Sequence, residues 1–175
     1  LKAAGRGGRP DRATHWLEEM RRAGMEPGPQ GYTAVITAYA QKGDAVGAAR
    51  CFDEMVQARV SPDLISYGAL TTGLGWAGDV EAVQRRFEEM EERGLRPDAK
   101  MYTRALKACG TLGPSGAEQA ESLFSRMVRA GIEPTLSSLG CMKSAVSQER
   151  RAKLYEELGI SVGGGAAPRE TRPRI

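Results

Sequence analysis

The chain has 175 residues, 41% of them hydrophobic and 27% charged, with a formal net charge of +3. That composition suits a folded chain with a core of its own, and no run of about 18 apolar residues offers a membrane-spanning helix, so no membrane insertion is expected. The positive charge sits at the ends: residues 1–12 carry +3 and residues 166–175 carry +2, so residues 13–165 come to −2 and offer little bulk attraction to a polyanion.

The cysteines, Cys51, Cys109 and Cys141, lie far apart with no CxxC pair, and His15 is the only histidine. Neither a zinc site nor a disulfide framework is expected, and the three read as small buried thiols. The chain opens on Leu1 without a cleavage pattern and reads as the interior of a longer one.

Taken from the start, residues 1–28 read as a partial first unit, with 1–8 the tail of one helix and 10–23 its partner. Residues 29–63 form a full unit. Tyr32, Val35, Ile36, Tyr39 and Ala40 follow the spacing of one helical face. Gly43-Asp44 then breaks the chain, since Gly suits a left-handed helix end and Asp caps the next helix. Val46, Ala49, Phe52, Met55 and Val56 are expected on the inner face of that second helix, and Val60-Ser61-Pro62-Asp63 closes it.

Residues 64–98 repeat the plan, with Tyr67, Leu70 and Leu74, a Gly78-Asp79 turn, then Val80, Val83, Phe87 and Met90. Residues 99–135 do so with Tyr102, Ala105, Leu106 and Cys109, then Ala120, Leu123, Phe124, Met127 and Val128. The two extra residues of this unit fall in the turn between Gly110 and Gly116, where added length costs little. Residues 136–158 read as a degenerate capping unit, and 159–175 as a flexible Gly-rich linker with a basic tail.

The period is carried by three residue types at once. Met20, Met55, Met90 and Met127 are spaced 35, 35 and 37, and Pro27, Pro62, Pro97 and Pro134 share those intervals. Tyr32, Tyr67 and Tyr102 are spaced 35 and 35, with Leu139 taking the next place 37 further on. Helix pairs at such a period predict an all-α, right-handed solenoid of helix-turn-helix repeats.

No catalytic motif accompanies the repeat. His15 has no nucleophile partner, and Glu18-Glu19, Glu88-Glu89 and Glu91-Glu92 recur on helix flanks expected to be solvated. The glycines are turn residues without a phosphate-loop pattern, and neither an HxE nor a CxxC deaminase signature is present. The chain is expected to be non-catalytic and to need no cofactor.

Tyr-x-x-hydrophobic-hydrophobic, then Gly-Asp, then Phe-Glu-Glu-Met, then Gly-hydrophobic-x-Pro-Asp at period 35 resembles the pentatricopeptide repeat, most closely over residues 87–98. The resemblance covers about residues 1–158. It implies a protein of a chloroplast or mitochondrion that binds single-stranded RNA, one base per repeat, on a concave face lined by the first helices. It implies that each base is read by the residue after the Tyr and the residue after the inter-repeat Pro, with the residue two before the Tyr stacking on bases. The readers would then be Thr33 with Asp63, a pairing the family associates with guanine, Gly68 with Asp98, and Thr103 with Thr135, while Gly28 fills the last position of the first unit. The stacking positions are Gln30, Ile65, Lys100 and Ser137, of which Ile65 alone is apolar, and Lys100, Arg104 and Lys107 would meet phosphates. The worn reading positions and near-neutral body leave a second function open, a non-catalytic scaffold contacting other proteins of an organellar complex such as a ribosome.

Overall fold

The computed structural model describes residues 9–160. The expected helix at 1–8 and the expected linker and tail after residue 160 lie outside that range. Among the described residues, nine α-helices follow one another: α1 (Pro10–Arg22), α2 (Pro29–Lys42), α3 (Ala45–Gln57), α4 (Leu64–Trp76), α5 (Val80–Glu92), α6 (Ala99–Thr111), α7 (Ala117–Arg129), α8 (Leu136–Ala145) and α9 (Gln148–Glu157). There is no strand among the described residues. The even-numbered helices are the first helices of their pairs, and the odd-numbered ones are the second.

Local chemistry sets the ends of these helices. Gly43 adopts φ +80°, a left-handed conformation that costs a side-chain-bearing residue energy, and closes α2. Asp44 then accepts the Gly47 amide at 2.8 Å and opens α3, and Asp79 does the same for α5 through Ala82 at 2.9 Å. The extra turn of the fourth unit is a 3₁₀ segment, Gly113–Gly116, before α7. There Gly116 passes so close to Cys109 that a Cβ would strike its carbonyl oxygen.

The core alternates aromatic residues between units. Phe52 of α3 packs on Tyr67 of α4 with centroids 4.8 Å apart, and Phe87 of α5 on Tyr102 of α6 at 5.0 Å. All four rings are fully buried, so each second helix is tied to the next first helix by apolar burial and ring packing together. In the last unit Leu139 stands where the Tyr would be, and Phe124 packs instead on Tyr155 of α9 at 5.4 Å.

One expected face is phased differently. Val46 is 81% exposed and Val56 is also on the surface, while Ala48, Cys51, Phe52 and Met55 point inward. The Asp44 cap starts α3 at Ala45, and from that start the 3.6-residue period carries positions 48, 51, 52 and 55 to the core. Cys51 and Cys109 are buried, as the sequence suggests, but Cys141 is only half-buried.

Consecutive first helices lie against one another, because small residues meet where they touch. A Cβ on Gly73 would lie 3.1 Å from Ala40, one on Gly75 3.8 Å from Ala108, and one on Gly110 3.4 Å from Ser144. Consecutive second helices pack much less. They are joined by ion pairs across wider gaps: Arg21–Glu54 at 3.9 Å, Arg86–Asp53 at 3.3 Å, Arg126–Glu91 at 2.7 Å and Arg150–Glu121 at 2.8 Å. Tight spacing on one side and wide spacing on the other curve the stack, with the first helices on its inner side.

Candidate nucleic-acid interface

The residues singled out in the sequence sit at the starts and along the exposed faces of the first helices. Asp63, Asp98 and Thr135 are the N-cap residues of α4, α6 and α8. Asp63 Oδ1 accepts the Ser66 amide at 2.8 Å, Asp98 Oδ1 the Met101 amide at 2.8 Å, and Thr135 Oγ1 the Ser138 amide at 3.2 Å. Each of these side chains therefore satisfies an orphan amide at the start of its helix. The Asp-x-x-Ser spacing at 63–66 is a capping-box pattern, so a structural role for Asp63 is written into four consecutive residues. Gly28 holds the same place before α2 and offers no side-chain cap.

Two grooves gather most of the remaining positions. The first, about 390 Å³, lies along α4 and α6, reaches α2 at Thr37, Ala40 and Gln41, and is lined by Ile65, Gly68, Trp76, Asp98, Lys100 and Arg104, among others. The second, about 330 Å³, lies between α6 and α8 and is lined by Ala99, Lys100, Thr103, Arg104, Thr135 and Ser137. Lys100 and Arg104 line both, forming the ridge between them. The pairs Gly68/Asp98 and Thr103/Thr135 are thus each brought together in one groove.

Thr33 and Asp63 line neither groove and share no hydrogen bond. The Thr33 hydroxyl is turned inward, buried and without a partner, whereas the equivalent Thr103 hydroxyl donates to Ala99 O at 2.7 Å. Gln30 and Lys107 are exposed but line neither groove. Trp76, 61% exposed on the last turn of α4, is a groove residue outside the set expected from the sequence. Its signal is an indole in a position of the first helix that other units fill with Gln41 and Thr111.

Charge is sorted between the two helix sets. The first helices carry Lys42, Lys100, Arg104, Lys107 and Lys143 and no Asp or Glu. Among the described residues none of these five cations enters a salt bridge, and every helical carboxylate lies on a second helix, where the ion pairs form. The near-neutral sum over residues 13–165 therefore hides a positive inner side and a negative outer one. Arg104 is also held in place, since its Nη1 donates to Thr72 Oγ1 at 2.8 Å across the α4–α6 groove.

The outer side shows why repeated glutamates are not all simple solvated charges. Glu89 accepts the Tyr67 hydroxyl at 2.8 Å and pairs with Arg86 at 2.8 Å and Arg93 at 3.2 Å. Burial pushes its carboxyl up, but the hydrogen bonds from Arg86 and Tyr67 and the charges of Arg86 and Arg93 outweigh it and hold the group below its usual range. Burial pushes the Cys51 thiol up to about 12 and the Cys109 thiol to about 11, so neither is a thiolate nucleophile at neutral pH.

Paired helices in a right-handed stack, with aligned first helices presenting capped N-termini and cationic grooves on one face, define a helical-repeat solenoid. The chain belongs to the pentatricopeptide repeat family: the pentatricopeptide repeat domain model matches residues 15–78 and 85–139, and the PPR repeat model matches residues 1–25 and 65–95. Among solved structures, the chain is similar to the maize pentatricopeptide repeat protein PPR10, with a TM-score of 0.64 and 26% identity over 89% of this chain and 22% of that one. PPR10 in complex with an 18-nt psaJ RNA element gives a TM-score of 0.72 at 24% identity, over 90% of this chain and 22% of that one. The PPR domain of Arabidopsis thaliana protein-only RNase P 1, in complex with tRNA, gives 0.76 at 17% identity, over 89% of this chain and 81% of that one. The last two likenesses are of fold, and the chain spans about a fifth of the length of PPR10. No curated protein matches the chain.

Proposed function

We propose that this chain is a non-catalytic module that binds single-stranded RNA along its first-helix face and serves organellar RNA metabolism: processing, stability or translation. The sorting of charge carries this reading. Phosphates are drawn to cations that no salt bridge engages, and such cations lie on the first helices, beside the grooves that hold Gly68/Asp98 and Thr103/Thr135. Lys100 and Arg104 meet phosphates on the ridge, Ile65 stacks on a base in the α4–α6 groove, and Asp98 offers it a carboxylate oxygen. Thr33 joins Asp63 as a reader only after rotating its hydroxyl outward about χ1. PPR10 in complex with an RNA element supports the reading from the side of fold and family. The family resemblance supports a chloroplast or mitochondrion as the setting.

The test is binding of labelled single-stranded RNA pools at several salt concentrations. Affinity that falls steeply with salt supports the proposal, and no binding to any pool at physiological salt overturns it. A second reading, a scaffold for protein partners, draws on the outer side. There a gap of about 990 Å³ between α3 and α5 has mixed charge from Arg50, Asp53, Glu54 and Arg85, with Val46 exposed at its edge. Co-purification of a stoichiometric protein partner by a chain that binds no RNA would favour it.

A further inference from the structure

We propose that Trp76 is an aromatic platform on which a base of single-stranded RNA stacks, so that the third unit grips its nucleotide by shape where Gly68 leaves Asp98 as its one hydrogen-bonding reader. The inference rests on the RNA-binding reading above and adds a stacking surface to it.

Gly68, Thr72 and Trp76 are spaced four apart and share one face of α4, and all three line the α4–α6 groove. Gly68 leaves that groove open, since a Cβ placed on it would meet nothing within 4 Å. Trp76 ends the same wall with 61% of its surface exposed. With Leu64 and Ile65, also exposed in this groove, it gives the groove an apolar lining of the kind that marks a surface for a partner.

The backbone that carries Trp76 is well fixed. A Cβ on the preceding Gly75 would lie 3.7 Å from Arg104 O, so the last turn of α4 rests directly on α6. Opposite, Arg104 is pinned by its 2.8 Å hydrogen bond to Thr72, whose own hydroxyl donates to Gly68 O at 2.6 Å. The groove thus has a flat π face on α4 and the cations Lys100 and Arg104 on α6, with one carboxylate, Asp98, whose Oδ1 is engaged in capping α6.

That pairing fits a nucleotide. The base stacks on the indole while its phosphate meets a guanidinium, the combination by which single-stranded nucleic acid is held without regard to sequence. A protein segment rich in acidic residues would satisfy the cations but leave the indole uncovered. The third unit, with Gly68 in place of one of its two readers, is therefore more sequence-tolerant than a unit that has both.

The test uses the chain with Trp16→Phe, which leaves Trp76 the single indole. Fluorescently labelled oligouridylate and oligoadenylate of about ten nucleotides are titrated with it, indole quenching being followed in this chain and the anisotropy of the label giving affinities for it and for Trp76→Leu and Trp76→Phe. Stacking predicts quenching with both oligonucleotides, about a tenfold loss of affinity in W76L, and recovery of most of it in W76F. If both bind, and bind more weakly when Lys100 and Arg104 become Gln, but W76L is unchanged and no quenching occurs, the platform is overturned while the RNA reading stands. If neither binds, both fall. A signal that follows protein concentration rather than RNA puts Trp76 between copies of the chain and overturns the proposal.

Discussion

Asp63 and Ser66 hold each other in a reciprocal pair: the Asp63 carboxylate accepts the Ser66 amide at 2.8 Å, and the Ser66 hydroxyl accepts the Asp63 amide at 2.9 Å. The residue at a proposed reading position is therefore also a structural cap. Asp63→Ala removes both roles together, and is expected to cost about 1 kcal/mol of stability from the cap alone. Asp63→Asn keeps the cap, because Asn caps about as well as Asp, and changes only what a base would meet. Thermal melts are expected to leave D63N within a few tenths of a kcal/mol of the parent, and competition binding to show a changed base preference. An unchanged preference in D63N would remove Asp63 from the readers.

Gly68 lies in the interior of α4 with open space around its would-be Cβ. Gly costs a helix about 0.5–1 kcal/mol relative to Ala, so Gly68→Ala is expected to stabilise the chain by about that much in urea unfolding. Gly68→Asn places an amide in the groove beside Asp98 and is expected to sharpen the base preference that Asp98 gives alone, as competition binding would show.

Lys100 and Arg104 stand on the ridge between the grooves, exposed and without salt bridges among the described residues. Replacing each with Gln is expected to reduce the slope of log affinity against log salt by about 0.7 for every phosphate no longer neutralised, with stability nearly unchanged. Arg85, on the outer helix α5, is the control, and R85Q should leave both affinity and slope alone.

Phe87 is fully buried and packs on Tyr102 of the next unit. Phe87→Ala is expected to destabilise the stack by about 3–5 kcal/mol, from reduced burial plus the cavity left behind. Because neighbouring units hold one another, hydrogen exchange should rise on both sides of the α5–α6 boundary and not only at the site.

Glu89 has its carboxyl held below its usual range in the fold, so it contributes stability when ionised. The sign follows from proton binding: the unfolded chain takes up the proton first as pH falls, so this contribution is full at neutral pH and is lost below about pH 4. Acid unfolding of Glu89→Gln should be shallower through that range than that of the parent, with a lower stability at pH 7. Equal slopes would show that the Arg86–Glu89–Tyr67 group contributes nothing.

Much of the fold is readable because its determinants are local. Gly43-Asp44 and Gly78-Asp79 fix helix ends through backbone conformation and one side-chain oxygen, and the 35-residue recurrence of Tyr, Met and Pro marks each pair. The phase of α3 is misjudged at Val46 because an apolar residue in a first turn fits two faces, and only the helix start at Ala45 selects between them. Asp63 shows the converse, a cap whose signature is local but whose second role depends on what lies across the groove.

The sequence by itself determined the repeat, the helix pairs and the positions that fall after each Tyr and each Pro. Those follow from capping, helical period and turn chemistry within a few residues. Only the tertiary structure decided how charge is displayed, which residues share a groove, and that Trp76 stands in one. Net charge is a sum over the chain and carries no direction; the close approach of first helices at Gly73, Gly75 and Gly110 is what sets five cations on one side and the ion-paired carboxylates on the other.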